Sequence, residues 1–221
     1  MVRFFIVIIS CFFLILYYVP KMSYYARHGE KYDEETCYRM AQVMIEHVKK
    51  RGRIETVASG MENLPTEGGY IMFANHQGKY DALGVMSVHE QPCTFVMDAK
   101  RSHLFIVTQL CELLKAKRLD KTDLRQQVQV INDVATEVKA GRRYILFPEG
   151  GYDHNHNSLR GFLPGSFKIA QKAKCPIVPV VLYDSFKPFE GKSFRKVITQ
   201  LHFLPPIPYE TFADMKTYEI R

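Results

Sequence analysis

Two short runs in this chain are apolar on both faces. They are Tyr144-Ile145-Leu146-Phe147 and Ile177-Val178-Pro179-Val180-Val181-Leu182. A strand at the surface of an antiparallel sheet alternates apolar and polar residues, whereas a strand covered on both sides has no reason to. These runs therefore require an interior position in a sheet with helices above and below it. Pro179 sits awkwardly there, because it cannot donate to a ladder, and it reads as a bulge or a strand end. Further strands are expected over 54–59, 70–74, 94–97 and 196–203. Between them lie helical patterns at 82–89, 102–116, 124–140 and 166–174, and an amphipathic helix spans 32–50, with Cys37, Met40, Ala41, Met44 and Val48 on one face. Thr122 or Asp123 is the expected N-cap of the helix over 124–140, and Gly141 closes it. Strands alternating with helices give an α/β fold: a single layered domain with a mixed, largely parallel sheet flanked by helices.

The N-terminus differs in kind. Residues 4–19 are uncharged and almost wholly apolar, bounded by Arg3 and Lys21. As a helix they reach about 24 Å, short of the roughly 30 Å hydrocarbon core. Tyr17, Tyr18, Tyr24 and Tyr25 extend the segment as an interfacial belt. The small-residue cleavage pattern of a signal peptide is missing. The expectation is an N-terminal hydrophobic membrane-anchoring helix over 1–27, with the main domain over 28–221. Lys21, Arg27 and Lys31 follow the anchor and Arg3 precedes it, a slight excess that favours a cytoplasmic-side domain on the cytoplasmic membrane. A helical pattern begins again at 211–215, near the last residue of the sequence, so a longer C-terminus is compatible with it.

With 47% hydrophobic and 24% charged residues, the 221-residue chain is long enough for one packed core. The formal charge of +7 suits an anionic membrane surface or a phosphorylated substrate. Nucleic acid is not expected as a partner, since no zinc spacing, RNP-like block or Arg-rich arm occurs. Five scattered cysteines without a Cys-x2-Cys pair exclude a disulfide framework.

The chemistry concentrates at 70–81, where an apolar run ends in Asn75-His76 and Asp81 follows five residues later. On a helix those two side chains would point about 140° apart, so the chain must bend between them, a freedom expected of Gly78. A histidine oriented by an aspartate at a strand end is the layout of a general base. Asp153-His154-Asn155-His156 contains two metal-ligand side chains, but no third histidine or Cys pair accompanies them at suitable spacing. The segment reads as a polar loop, and no metal is assigned.

The segment Asn75-His76-Gln77-Gly78-Lys79-Tyr80-Asp81 resembles the His-x4-Asp motif of the glycerolipid acyltransferases. Gly60-Met61-Glu62-Asn63-Leu64-Pro65 resembles that family's lead-in, Phe147-Pro148-Glu149-Gly150 its Phe-Pro-Glu-Gly block, and Cys175-Pro176-Ile177-Val178-Pro179-Val180 its later strand. The four blocks occur in order between about residues 54 and 208. The resemblance implies an O-acyltransferase that moves a fatty acyl group from acyl-CoA or acyl-carrier protein to the free hydroxyl of 1-acylglycerol-3-phosphate, giving phosphatidic acid. His76 would be the base and Asp81 its orienter; a thioester donor needs no further cofactor. The lysophospholipid acceptor, the acyl carrier and membrane lipids are the implied partners. Asn75 and amides near Gly78 are candidate oxyanion donors. Lys79, Arg118, Lys121, Arg160 and Lys168 are candidate phosphate partners, with Lys117 and Arg125 near them in sequence. Glu149 and Gly150 are expected to bind substrate, Glu149 by orienting a hydroxyl or a basic residue. Two departures bear on the acceptor. Lys121 stands where the family has arginine, and Gly151-Tyr152 stands where it has Thr-Arg. Glycerol 3-phosphate or another lyso-lipid is accordingly the alternative acceptor, and a non-catalytic lipid-binding protein the reading from a different class.

Overall fold

A computed structural model describes residues 2–220. The chain begins with helices α1 (Val2–Ser10), α2 (Phe12–Arg27) and α3 (Glu34–Gly52), then strand β1 (Ile54–Ser59). There follow β2 (Ile71–Ala74), α4 (Asp81–Met86), β3 (Thr94–Asp98), α5 (Ala99–Ser102), α6 (Val107–Leu113) and β4 (Lys117–Leu119). The second half holds α7 (Leu124–Lys139), β5 (Tyr144–Leu146), α8 (Lys168–Ala173) and β6 (Ile177–Tyr183). It ends with α9 (Lys187–Glu190), β7 (Val197–Phe203), α10 (Tyr209–Phe212) and α11 (Thr217–Ile220).

One seven-stranded sheet has the order β1-β7-β6-β2-β5-β3-β4. Every neighbouring pair is parallel except β6 with β7. The mixed, largely parallel sheet is as the alternating pattern requires. Side chains along its central strands divide between two cores. Met72, Ala74, Ile145, Val178, Val180 and Leu182 join the core beneath α2, α3, α4 and α6. Ile71, Phe73, Tyr144, Leu146 and Ile177 join the core beneath α7 and α8. That period-2 division accounts for the run over 144–147. The run over 177–182 is covered on both faces only at its start, since Val181 is exposed and joins neither core. Pro179 pairs with Phe73 on one side. On the other side β7 ends at Phe203, one position short of Pro179, and the next bridge is Ile177 with Ile207. The missing N–H thus falls in a gap of the ladder.

Three expectations change. The helix expected over 102–116 is broken into α5 and α6 at Ile106, whose φ is +73° and whose amide donates to the Gln109 side chain at 2.9 Å. Residues 117–119, where no strand is expected, form an edge strand on β3. The single N-terminal helix is two helices bent by 72°, and among the described residues no single helix is long and apolar enough to cross a membrane. α1 packs on α3 and α9 through Val7, Cys11, Ile54 and Phe189. Arg3, taken from sequence as the charged flank of an anchor, is wholly buried. Its guanidinium donates to the carbonyls of Pro188 (3.0 Å), Ser193 and Arg195 (2.8 Å each) and Gly52.

Candidate active site

Strands β2, β3, β4, β5 and β6 run in one direction, so the segments leaving their C-terminal ends gather along one edge of the sheet. Ligands of open α/β sheets bind at such an edge. The segment after β2 carries His76, and the segment after β5 carries Glu149.

His76 and Asp81 meet. His76 Nδ1 lies 2.7 Å from Asp81 Oδ2, and the same oxygen accepts the amides of Gln77 at 2.6 Å and Gly78 at 2.9 Å. The carboxylate is wholly buried at the start of α4, where the helix N-terminus favours its negative charge. With an ionised acceptor at Nδ1, that nitrogen carries the proton and Nε2 holds the lone pair. Nε2 has no hydrogen-bond partner among the described residues, and the side chain keeps 19% of its surface exposed. One imidazole face stacks on Phe147 (4.2 Å, 19°), and Tyr152 packs edge-on at 4.7 Å. The ring is therefore held by the carboxylate and by two aromatic neighbours, with one nitrogen left without a partner among the described residues.

The bend between His76 and Asp81 does not come from a left-handed glycine. Gly78 keeps a negative φ, and its value is close approach: a Cβ there would lie 3.3 Å from Phe186 Cα. Near the site, positive φ is taken by Gly150 and Gly151, which turn the chain after β5. A Cβ on Gly150 would come 2.5 Å from Leu163 Cδ1, so Gly150 serves the turn through its lack of a side chain.

Several proposed substrate ligands have other duties. Both ends of the Asn75 amide are occupied by Leu182 of β6: Nδ2 donates to its carbonyl at 3.0 Å and Oδ1 accepts its amide at 2.7 Å. The amides of Gln77 and Gly78 are committed to Asp81. Those two amides are therefore not free oxyanion donors, while Asn75 spends one of its two side-chain N–H groups on β6. Glu149 is buried and accepts two backbone amides, His76 N at 2.8 Å and Arg160 N at 3.1 Å. It clamps the histidine's own backbone to the segment after β5, where orientation of a hydroxyl or a basic side chain was expected; two amide donors satisfy a buried carboxylate without a counter-ion. Lys79 lies over the Phe4 ring at 4.7 Å, turned toward α1. Lys168 lines a cleft with Gln171, Tyr209 and Tyr218 near the C-terminal helices, among no other expected site residue.

The remaining cations do gather. Arg160 Nη1 reaches the Gly151 carbonyl at 3.4 Å, and Lys121 Nζ would be 3.7 Å from a Cβ on Gly151. Lys121 also pairs with Asp98 at 3.2 Å. Burial alone would raise the Asp98 pKa, but Lys121 and the amides of Arg101 and Lys100 outweigh it and hold the carboxyl below its ordinary value. Arg118 donates to Ser102 Oγ at 3.1 Å in the neighbouring α5. Arg101, absent from the sequence-derived candidates, places its guanidinium 5.0 Å from the centre of the Tyr152 ring. Burial raises the Tyr152 phenol above its ordinary value, only partly offset by Arg101. His76, Tyr152 and Arg101 thus form a continuous series of contacts from the imidazole to the cationic rim. No spacing in the sequence links residue 101 to residue 152; Asp98 capping α5 is what aims it, accepting the amides of Lys100 and Arg101.

The comparisons with known proteins agree with this architecture. A family model described as Acyltransferase matches residues 55–183. Human 1-acyl-sn-glycerol-3-phosphate acyltransferase alpha is 31% identical over 178 residues, 78% of this chain and 62% of that protein. The 1-acyl-sn-glycerol-3-phosphate acyltransferase of Saccharomyces cerevisiae is 30% identical over 164 residues, 72% of this chain and 54% of that protein. The chain thus spans about three fifths or less of these two curated relatives. The crystal structure of the 1-acyl-sn-glycerophosphate acyltransferase PlsC from Thermotoga maritima superposes with a TM-score of 0.74, covering 99% of this chain and 94% of that one at 17% identity. The fold is shared, the motif edge of the sheet lies inside the matched region, and the chain belongs to the acyltransferase family.

Proposed function

We propose that this chain is an O-acyltransferase that moves a fatty acyl group from a thioester, acyl-CoA or acyl-carrier protein, to the free hydroxyl of 1-acylglycerol-3-phosphate. The observation that carries the reading is His76 Nε2, left without a partner among the described residues, with Nδ1 fixed on a buried Asp81. The acceptor hydroxyl gives its proton to Nε2 as its oxygen attacks the thioester carbonyl. The imidazolium so formed is stabilised by Asp81, and the proton passes to the departing thiolate sulfur as the tetrahedral intermediate collapses. A thioester is already activated, so no covalent enzyme intermediate is needed.

The acceptor phosphate is assigned to Arg101, Lys121 and Arg160, which line the rim around Gly151 and Tyr152. In this reading Arg101, delivered from α5 and steadied on Tyr152, takes the place of the arginine that the family carries after its Glu-Gly. The observation favouring a different acceptor is Tyr152 itself, a neutral side chain packed against the imidazole.

The domain is assigned to a membrane surface, with residues 1–27 as the anchoring part. Phe5, Ile9, Phe12, Phe13, Leu16 and Tyr17 leave more than half of their surface exposed, and Leu104 and Phe105 do so beside α6, which α2 contacts. Monomeric soluble domains rarely expose so large an apolar area. A bent helix pair lying in the interface accounts for it.

The test uses the detergent-solubilised chain and His76→Ala, each given labelled acyl-CoA or acyl-carrier protein with 1-acylglycerol-3-phosphate or glycerol 3-phosphate. Phosphatidic acid from the wild type alone supports the reading. Product from glycerol 3-phosphate alone replaces the acceptor, and equal product from wild type and His76→Ala removes the base.

A further inference from the structure

The segment after Gly151 carries two histidines that the acyl-transfer chemistry does not use. Asn155 lies between them and ties the segment to the site: its Nδ2 donates to the His76 carbonyl at 3.3 Å and to the Ser158 carbonyl at 2.7 Å. His154 and His156, on either side, are exposed, and both rings reach one point against α9. There Glu190 Oε2 is 3.4 Å from His154 Nδ1 and 3.6 Å from His156 Nε2. One ligand atom from each of the three residues lies within 4.8 Å of the others. The His156 ring is already fixed, stacked on Phe186 at 4.1 Å and 23°.

The geometry points to a binding site for a divalent transition-metal ion of the zinc class at His154, His156 and Glu190. Zinc bonds to imidazole nitrogen and carboxylate oxygen are about 2.0–2.2 Å, so ligand atoms at a tetrahedral angle stand about 3.3–3.5 Å apart. The two carboxylate–imidazole separations are of that size. Two imidazoles among three donors select against calcium and magnesium, which take oxygen. Water completes the coordination, since both histidines are open to solvent.

The third ligand is invisible in sequence because it lies 34 residues beyond His156, on α9 (Lys187–Glu190). The position of α9 gives the site a consequence. Phe186 and Glu190 are the side chains and backbone that Gly78 approaches, a Cβ there lying 3.3 Å from Phe186 Cα and 3.9 Å from Glu190 Oε1. A metal ion at this point joins the Asn155 segment to α9, and both flank the His76–Asp81 turn.

Zinc content and affinity of the purified full chain test the assignment, by elemental analysis after dialysis and by competition with a chromophoric chelator, alongside melting temperature with and without zinc. One zinc per chain is expected, with a melting temperature that rises with zinc concentration as mass action requires. His154→Ala and Glu190→Gln each weaken zinc binding about tenfold or more. His154→Ala/His156→Ala abolishes it, and His103→Ala, an exposed histidine elsewhere, leaves it unchanged. The two histidines are exposed and Glu190 is half-buried, and circular dichroism checks the folding of each variant. Zinc binding that survives the double substitution overturns the site, as does a wild type that binds no more zinc than that variant; the cluster is then only an ion pair. Displacement of zinc by equimolar magnesium or calcium overturns the choice of metal class.

Discussion

At the scale of single residues, the site depends on one carboxylate oxygen. Asp81 Oδ2 takes His76 Nδ1 and two amides, while Oδ1 is buried and has no hydrogen-bond partner among the described residues. Asp81→Asn keeps the shape and removes the charge that holds the tautomer and steadies the imidazolium. The expected loss in kcat is about 10²–10⁴-fold with KM for the acceptor nearly unchanged. Steady-state kinetics with the acceptor varied decide it, and a loss below tenfold would show that Asp81 is only structural. Arg101→Gln has the opposite signature. If its guanidinium meets the acceptor phosphate, KM rises about tenfold or more, equivalent to about 1.4 kcal/mol or more, while kcat holds. A phosphate-free acceptor analogue should not feel the change. The sequence made His76 and Asp81 legible because a base and its orienter are five residues apart. It could not do so for Arg101, whose role depends on the meeting of α5 with the turn after β5. Nor could it separate a carboxylate that binds substrate from one that binds backbone. Glu149 ends an apolar strand under either role, and only the amides of His76 and Arg160 decide between them.

At the scale of elements, α1 is as much part of the folded domain as of a membrane surface. Arg3 is the pin that holds it, through the carbonyls of Gly52 at the end of α3, Pro188 in α9, and Ser193 and Arg195 between α9 and β7. Arg3→Met leaves those carbonyls buried without a donor and should cost about 3–5 kcal/mol. For a chain of this length that corresponds to a melting temperature lower by about 6–20 °C. Arg3→Lys should recover only a fraction, since one ammonium cannot span the same carbonyls. Thermal unfolding in detergent measures both, and a shift under 2 °C for Arg3→Met would mean that α1 docks through its apolar face alone. Sequence periodicity located most of the other elements because their apolar positions repeat over several turns or a whole strand. It missed β4 because three residues on a sheet edge, two of them basic, are too few to carry a pattern. It joined α5 to α6 because Leu104, Phe105 and Ile106 continue an apolar run through the break, and nothing in that run announces a positive φ at Ile106.

At the scale of the whole molecule, the long-range order of the sheet is what local pattern left open. β1 pairs with β7 some 140 residues away, and α3 is held to α4 and to the residue that leads into β2 by a buried polar network centred on His89. His89 Nδ1 donates to the Gln91 carbonyl at 2.7 Å, so Nε2 accepts the Tyr70 hydroxyl at 2.7 Å. Tyr38 and Gln42 of α3 donate to the His89 carbonyl at 2.9 and 3.0 Å. The ring is wholly buried, and burial pushes its pKa from 6.5 down to about 4, with Arg143 adding to the shift and the Gln91 carbonyl opposing it. A neutral imidazole is thus a condition of the fold. The unfolded chain takes up a proton near pH 6.5, whereas the folded chain resists until about pH 4. Stability from this group is therefore complete above pH 6.5 and is lost as the pH falls toward 4, by about 3 kcal/mol in all. Carboxylates contribute their own slope over the lower part of that range, so the measurement is a difference. Unfolding free energy from denaturant titrations between pH 7.5 and 4 should fall more steeply for the wild type than for His89→Gln, which keeps polar atoms in the site but cannot ionise. Two parallel curves, displaced by the constant cost of the substitution, would show that His89 takes up its proton in the folded protein as readily as in the unfolded chain.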